Sequence, residues 1–229
     1  MAERLLSLNA EKPRETENKN AYKRLCTVPI IQDKRSEVIP TLITPAIISG
    51  KKPVTSIKTI PFFPRAEGLP SLYPFDGIGI YDRERFIRLG GFDSSIKSFH
   101  WQLMDFGFRS SLWGEKISAT QLIKLKYEGA VPQEDGTAEK GYKRFFLKNL
   151  TPVFRRDYAH IPLRRFPLYY RKMGSDFSSA WEEFSAAREW VKINRYRFTS
   201  DVRTIVERWE NMEVESQIEK DEMPPEETK

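Results

Sequence analysis

FDGIGIYDRERFIRLGGFDSSIKSFHWQLMDFGFRSSLWG, Phe75 to Gly114, is the stretch on which the reading of this chain turns. Phe75 to Tyr81 alternates large and small residues, which predicts a strand with Gly77 and Gly79 on one face. A glycine face lets a ligand or another backbone approach closely. Asp82 follows and is placed to cap a short helix with Phe86 and Leu89 on one side, ending at Gly90. Gly90-Gly91 permits a turn with positive φ, and Phe92 anchors the next loop inward. A second helix is expected through His100–Arg109, with Trp101, Asp105 and Phe108 on a common face. Leu112-Trp113-Gly114 ends it, and Ile117 to Tyr127 runs on as a strand.

Outward from this stretch the chain divides into zones. Residues 1–24 read as a short helix through Leu5, Leu6 and Leu8 followed by a charged linker. Residues 25–130 form the central unit. Its first part holds β-branched runs at Cys26–Ile31, Val38–Ile43, Ile47-Ile48 and Val54–Ile60, broken by Pro29, Pro40, Pro45, Gly50 and Pro53, so short strands with some at edges are expected. Residues 131–212 form a helical extension. Ser175 or Asp176 is placed to cap a helix with Phe177, Trp181, Phe184 and Val191 inward, and Ser200 to cap another with Val202, Ile205, Val206 and Trp209 inward. Residues 213–229 are an acidic, proline-bearing tail expected to be disordered.

The bulk properties set limits. The chain has 229 residues, 39% hydrophobic and 13% aromatic, enough for a real core, and a net charge of +6 with 32 acidic residues. That balance leaves nucleic acid, anionic lipid and phosphorylated substrates open without demanding any of them. The single cysteine, Cys26, excludes an intrachain disulfide framework and suits a reducing compartment. No apolar run reaches the roughly 18 residues that mark a membrane helix, and the N-terminus turns polar too soon for a signal peptide. A cytoplasmic protein is expected, peripheral to the membrane if the basic segment described below touches lipid.

The central stretch resembles the acceptor-side half of a family 2 glycosyltransferase of the GT-A fold. The residues that carry the resemblance are Gly77 and Gly79, Leu89-Gly90-Gly91-Phe92-Asp93, Gln102 to Asp105, Arg109 and Trp113-Gly114. It covers residues 72 to 128. The fold class it implies is α/β: a partial GT-A-like mixed sheet with flanking helices and a C-terminal helical extension. The activity it implies is inverting transfer of a sugar from a nucleotide-sugar donor to a glycan, lipid-linked or other hydroxyl acceptor. In such enzymes a divalent metal, Mg or Mn, neutralises the diphosphate leaving group, and a carboxylate base activates the acceptor hydroxyl. The resemblance makes Asp105 the candidate base, at a helix start facing a cleft. Gly90, Gly91, Asp93, Trp101, Gln102, Arg109 and Trp113 become the substrate-binding candidates, with Trp101 a flat platform for a sugar ring. The bland alternative for Asp105 is an ordinary helical ion pair with Arg109.

The chain departs from the family pattern at several points. There is no Asp-x-Asp triplet and no N-terminal βαβ pattern for a nucleotide, so no cofactor is identifiable and a metal is expected only together with a donor-binding half. The opening Met-Ala-Glu-Arg-Leu-Leu resembles the helix that follows the metal-binding strand in complete relatives, so the chain reads as a fragment or a partner-dependent unit. The catalytic Glu-Asp pair of the family aligns with Gln102-Leu103. Where many relatives carry a metal-binding His, this chain has Leu125-Lys126-Tyr127-Glu128-Gly129; no metal ligand is assigned.

A different class is suggested by residues 154–172, where Arg155, Arg156, Arg164, Arg165, Arg171 and Lys172 interleave with Phe154, Tyr158, Phe166, Tyr169 and Tyr170. Such a mixture binds single-stranded nucleic acid or an anionic membrane surface, or is an amphipathic surface with its rings in the core. Nucleic acid is the less favoured partner. The alternative to an enzyme is a non-catalytic glycan- or lipid-binding module that kept the acceptor fold and lost the chemistry.

Overall fold

A computed structural model describes residues 24–49, 54–131, 140–173 and 176–211. The expected helix at Ala2–Asn9, the charged linker and the acidic tail lie outside the described residues. Strand β1 (Arg24–Gln32) is central to a three-stranded mixed sheet, antiparallel to β4 (Ile80–Tyr81) and parallel to β5 (Lys116–Lys126). Leu25, Cys26, Val28, Ile30 and Ile31 are all buried, the two-sided burial of an inner strand. The β1–β5 register slips between Val28↔Ala119 and Ile30↔Lys124. The slip falls at Pro29, whose nitrogen has no hydrogen for the ladder, and β5 bulges there with Leu122 exposed. The outer edge of β5 is partly covered by residues 68–71, which exchange backbone hydrogen bonds with Ile117 and Ala119.

Strands β2 (Leu42–Ser49) and β3 (Ser56–Phe62) form a separate antiparallel ribbon, so Pro45 and Pro61 cost no inner-strand bonds. The predicted strand Phe75–Tyr81 is corrected: Phe75–Gly77 is a 3₁₀ turn, and only Ile80–Tyr81 pairs with β1. Gly77 has φ 68 and Asp76 φ 51, which an extended strand does not tolerate. Gly79 is required for a structural reason: a Cβ there would lie 2.4 Å from the Cys26 sulfur.

Helix α1 (Arg83–Leu89) begins as expected, with the Asp82 carboxylate accepting from the Arg85 N–H, and ends on left-handed Gly90. Helix α2 (Phe99–Leu112) is buried on every side along most of its length. At Gly107 an added Cβ would lie 2.6 Å from the Leu72 carbonyl oxygen, so the helix runs against the 68–75 segment with no space for a side chain. Helix α3 (Lys140–Phe145) continues as a π-helical turn, Phe146–Leu150, and packs Phe145 on Trp101 and Phe108. A hairpin, β6 (Val153–Arg155) with β7 (Tyr158–His160), leads to α4 (Phe166–Met173), α5 (Phe177–Asn194) and a helix over residues 202–211, α6.

Asp176 caps α5 as expected. Its inward face differs from expectation: Phe184 and Val191 are buried, but Phe177 and Trp181 are 60% and 44% exposed. Val202, Ile205, Val206 and Trp209 of α6 point inward as expected, but the cap is Asp201, which accepts from the Thr204 N–H. Ser200 is buried with its hydroxyl unpaired. One core cluster runs from Ile31 through α2 to Trp209, and a second gathers Leu25, Cys26, Val28, Ile117 and Ala119 of the sheet with Leu42, Leu89 and Phe106, so that α2 contributes to both. The architecture is mixed α/β, with a small mixed sheet and flanking helices. No helix among the described residues is long and apolar enough to cross a membrane.

Candidate functional site

Two neighbouring constellations surround α2, one closed and one open. The closed one is built on Asp105, in the second turn of the helix and 0% exposed. Its Oδ2 accepts from Arg109 Nε at 3.2 Å and Nη2 at 2.9 Å, its Oδ1 from Asn149 Nδ2 at 2.9 Å, and Lys148 Nζ lies 3.0 Å from Oδ1. Arg109 in turn donates to the carbonyls of Leu89 and Gly91, fastening the Gly90-Gly91 turn to α2. Gly90 and Gly91 carry φ 89 and 60, the conformation that lets both carbonyls converge on one guanidinium.

Asp93, just past the turn, accepts from Arg144 Nε at 2.7 Å and Lys148 Nζ at 2.8 Å. Lys148 thus bridges Asp93 and Asp105, and the π-helical turn supplies both it and Asn149. Burial pushes the Asp93 carboxyl pKa up, but the Lys148 and then the Arg144 cations outweigh it and hold the group well below the usual carboxylate range. Gly90, Gly91, Asp93, Asp105 and Arg109 are therefore brought together.

The other expected residues go elsewhere. Trp101 is 6% exposed and packs on Tyr142 and Phe145 with ring centroids 4.9 and 5.4 Å away. Its rings are core, and the expectation of an open platform is corrected on that ground. Asp105 likewise does not face a cleft; its oxygens are engaged inside the protein. Gln102 spends its amide on the Ile96 carbonyl at 2.6 Å. Trp113 lies at the far end of α2, stacked on Trp190 at 6.0 Å with Arg197 over its ring at 4.9 Å.

The open constellation was not foreseen. Asp76, in a left-handed backbone conformation with φ 51, accepts a 2.6 Å hydrogen bond from the Tyr127 hydroxyl. Tyr127 directly follows β5, and its N–H donates to the Gln32 carbonyl at the end of β1. The pair therefore stands at the carboxyl ends of the two parallel strands, where open α/β sheets take their ligands. Next to it, a Cβ on Gly77 would lie 3.1 Å from the Phe99 ring and 3.7 Å from Leu103. Burial, then Asp76, push the Tyr127 phenol above its usual range, so it remains a proton donor to the carboxylate. Asp76 is half-buried, and a strained non-glycine residue at such a position is held there by its surroundings. The Asp76-Gly77 dipeptide is a turn signal that the alternating pattern obscured.

Among the described residues no group of three or more His, Cys, Asp or Glu is placed to hold a metal ion. Asp76 with a phenol is not the oxygen cage that Mg or Mn requires, so no chemical step here is routed through a metal. No family model matches this chain, and no curated protein matches it.

Proposed function

We propose that this α/β unit is GT-A-like and supplies the acceptor side of an inverting glycosyltransferase, working with a separately provided nucleotide-sugar-binding half. The observation that carries the reading is the juxtaposition of the Asp76–Tyr127 pair with the start of α2, where Phe99 and Leu103 come so near Gly77 that an added Cβ would lie 3.1 and 3.7 Å from them. The resemblance sets the family's acidic pair at Gln102-Leu103, and here a carboxylate arrives beside that place from the preceding turn. On this reading Asp76 is the base. It takes the proton from an acceptor hydroxyl as the new bond forms at the anomeric carbon and the nucleotide diphosphate departs as an anion. Tyr127 orients the carboxylate. Asp105 and Arg109 are positioning residues that lock the Gly90–Asp93 turn.

The test is incorporation of labelled sugar from a set of nucleotide-sugars into membranes of source cells deleted for this gene. Added wild-type protein restores incorporation. Asp76→Asn, folded by circular dichroism, leaves it at least about 100-fold lower, the usual scale of a lost general base. Restoration by Asp76→Asn at the wild-type rate removes Asp76 as base; undiminished incorporation in the deleted cells removes the transferase reading.

A second reading is favoured by Gln102, whose amide is committed to the backbone where the family has an acid. It is a non-catalytic module that binds a glycan or lipid-linked sugar without turnover. That reading expects labelled glycan to bind wild type and Asp76→Asn equally, with no product.

A further inference from the structure

The basic segment and α5 together build a surface with an apolar, aromatic end and a cationic end. At one end buried Phe166 contacts Tyr170 at 6.0 Å, Phe177 at 5.5 Å and Trp181 at 5.0 Å. Those three outer rings are exposed, and so is neighbouring Leu163. Continuing along the same flank of α5, roughly 21 Å from Trp181 to Arg195 at 1.5 Å per residue, the side chains turn cationic. Arg188, Lys192 and Arg195 face Tyr158 and His160 of the β6–β7 hairpin across a groove of about 500 Å³. Tyr196 is 66% exposed beneath the Arg195 guanidinium and lies 6.5 Å from Tyr158.

Arg155 and Arg164 complete the cationic end: burial first, then these two with Arg188, lower the His160 pKa. The acids nearby are Glu189, which pairs with Lys192 at 3.2 Å, Asp176, which caps α5, exposed Asp157 in the hairpin turn, exposed Glu182 beside Trp181, and Asp201, which lines an adjoining groove with Arg164.

We propose that this face docks on an anionic phospholipid bilayer. Phe177, Trp181, Tyr170 and Leu163 enter the boundary between headgroups and acyl chains, the level that amphipathic rings favour. Arg155, Arg164, Arg188 and Arg195 remain among the phosphates, where each cation adds attraction that salt weakens. A single-stranded nucleic acid could stack on Tyr158 and Tyr196 among the cations, but it would leave unused the exposed apolar cluster of Phe177, Trp181, Tyr170 and Leu163, which a bilayer interface fills. The inference goes beyond the transferase reading and stands without it.

The experiment is cosedimentation of the full chain with vesicles of phosphatidylcholine alone and of phosphatidylcholine mixed with phosphatidylglycerol. Wild type is expected to sediment with the mixed vesicles, less so as salt rises, and weakly with the neutral ones. Phe177→Ser with Trp181→Ser, both at exposed positions, should lower the partition coefficient at least about tenfold, and Arg164→Glu with Arg195→Glu by a similar factor. Melting temperatures are read alongside; if the aromatic variant is unfolded, the charge variant carries the test. Equal binding to neutral vesicles, or undiminished binding by the folded variants, overturns the proposal. So does an oligonucleotide bound more tightly than vesicles and indifferent to Phe177 and Trp181, which makes the face a nucleic-acid surface.

Discussion

At Asp105 the choice between a chemical and a structural role turns on what its oxygens touch. Both are occupied by Arg109, Lys148 and Asn149 in a place without water contact. Removing one member of a buried, hydrogen-bonded charge cluster leaves the others uncompensated and costs about 3–5 kcal/mol. Asp105→Ala is accordingly expected to lower unfolding free energy by about that much in urea titration; a loss below about 1 kcal/mol, the range of an exposed pair, would mean that the cluster is solvated.

Asp93 gives the same network a pH signature. Its carboxyl pKa is lower folded than unfolded, so its stabilisation is fully present above the unfolded value of about 4 and is lost as pH falls toward the folded one. Asp93→Asn should therefore destabilise at neutral pH and show a shallower fall in melting temperature below about pH 4 than wild type; parallel curves would exclude Asp93 as the source of the acid sensitivity. The i,i+4 spacing of Asp105 and Arg109 was legible in the sequence, but its burial was not. That depends on Lys148 and Asn149, which return from more than one helix away and carry no local signal.

Among the elements, the strand–turn–helix run from Gly77 to Gly90 shows what pattern can and cannot reveal. The Asp82 cap and the Gly90 stop were readable because cap chemistry is local. The turn at Phe75–Gly77 was hidden because large–small alternation mimics a strand when two of the small residues are glycines with different duties. Gly77 supplies positive φ; Gly79 supplies room between β4 and β1. Gly79→Ala forces its Cβ onto the Cys26 sulfur, and overpacking of this kind costs about 1–3 kcal/mol. Combined with Cys26→Ala, which withdraws the sulfur, the substitution should cost less than the two singly added, measured by thermal denaturation. Strict additivity would show that the strands already yield at this point. Cys26 itself is no reactive group: burial, partly offset by the Tyr81 hydrogen bond, pushes its thiol up to about 12. On α5 the 3.6-residue period located the helix, but Phe177 and Trp181 meet Phe166 of α4 only edge-on and keep much of each ring exposed.

For the molecule as a whole, α2 is the link between the sheet-bearing unit and the helical extension, since it contributes to both core clusters. α2 is buried on all sides because the sheet, the 68–75 segment, α3 and the C-terminal helices enclose it, and Trp101 has Tyr142 and Phe145 where solvent would otherwise be. Neither part can lose the other without exposing apolar residues of the shared core, such as Phe108, Phe146 and Phe184. Unfolding of the two parts is thus coupled, and urea denaturation should give one transition with coincident midpoints by tryptophan fluorescence and far-ultraviolet circular dichroism. The tryptophans sample both parts, Trp101 and Trp113 on α2 and Trp190 and Trp209 in the extension, so a separately melting extension would register as a second fluorescence step. Two resolved transitions would mean that the apolar contacts across residue 131 are too weak to couple them. The closed Asp93–Asp105 network would then unlock with the extension, since Lys148 and Asn149 belong to it, while the Asp76–Tyr127 pair would survive on the sheet.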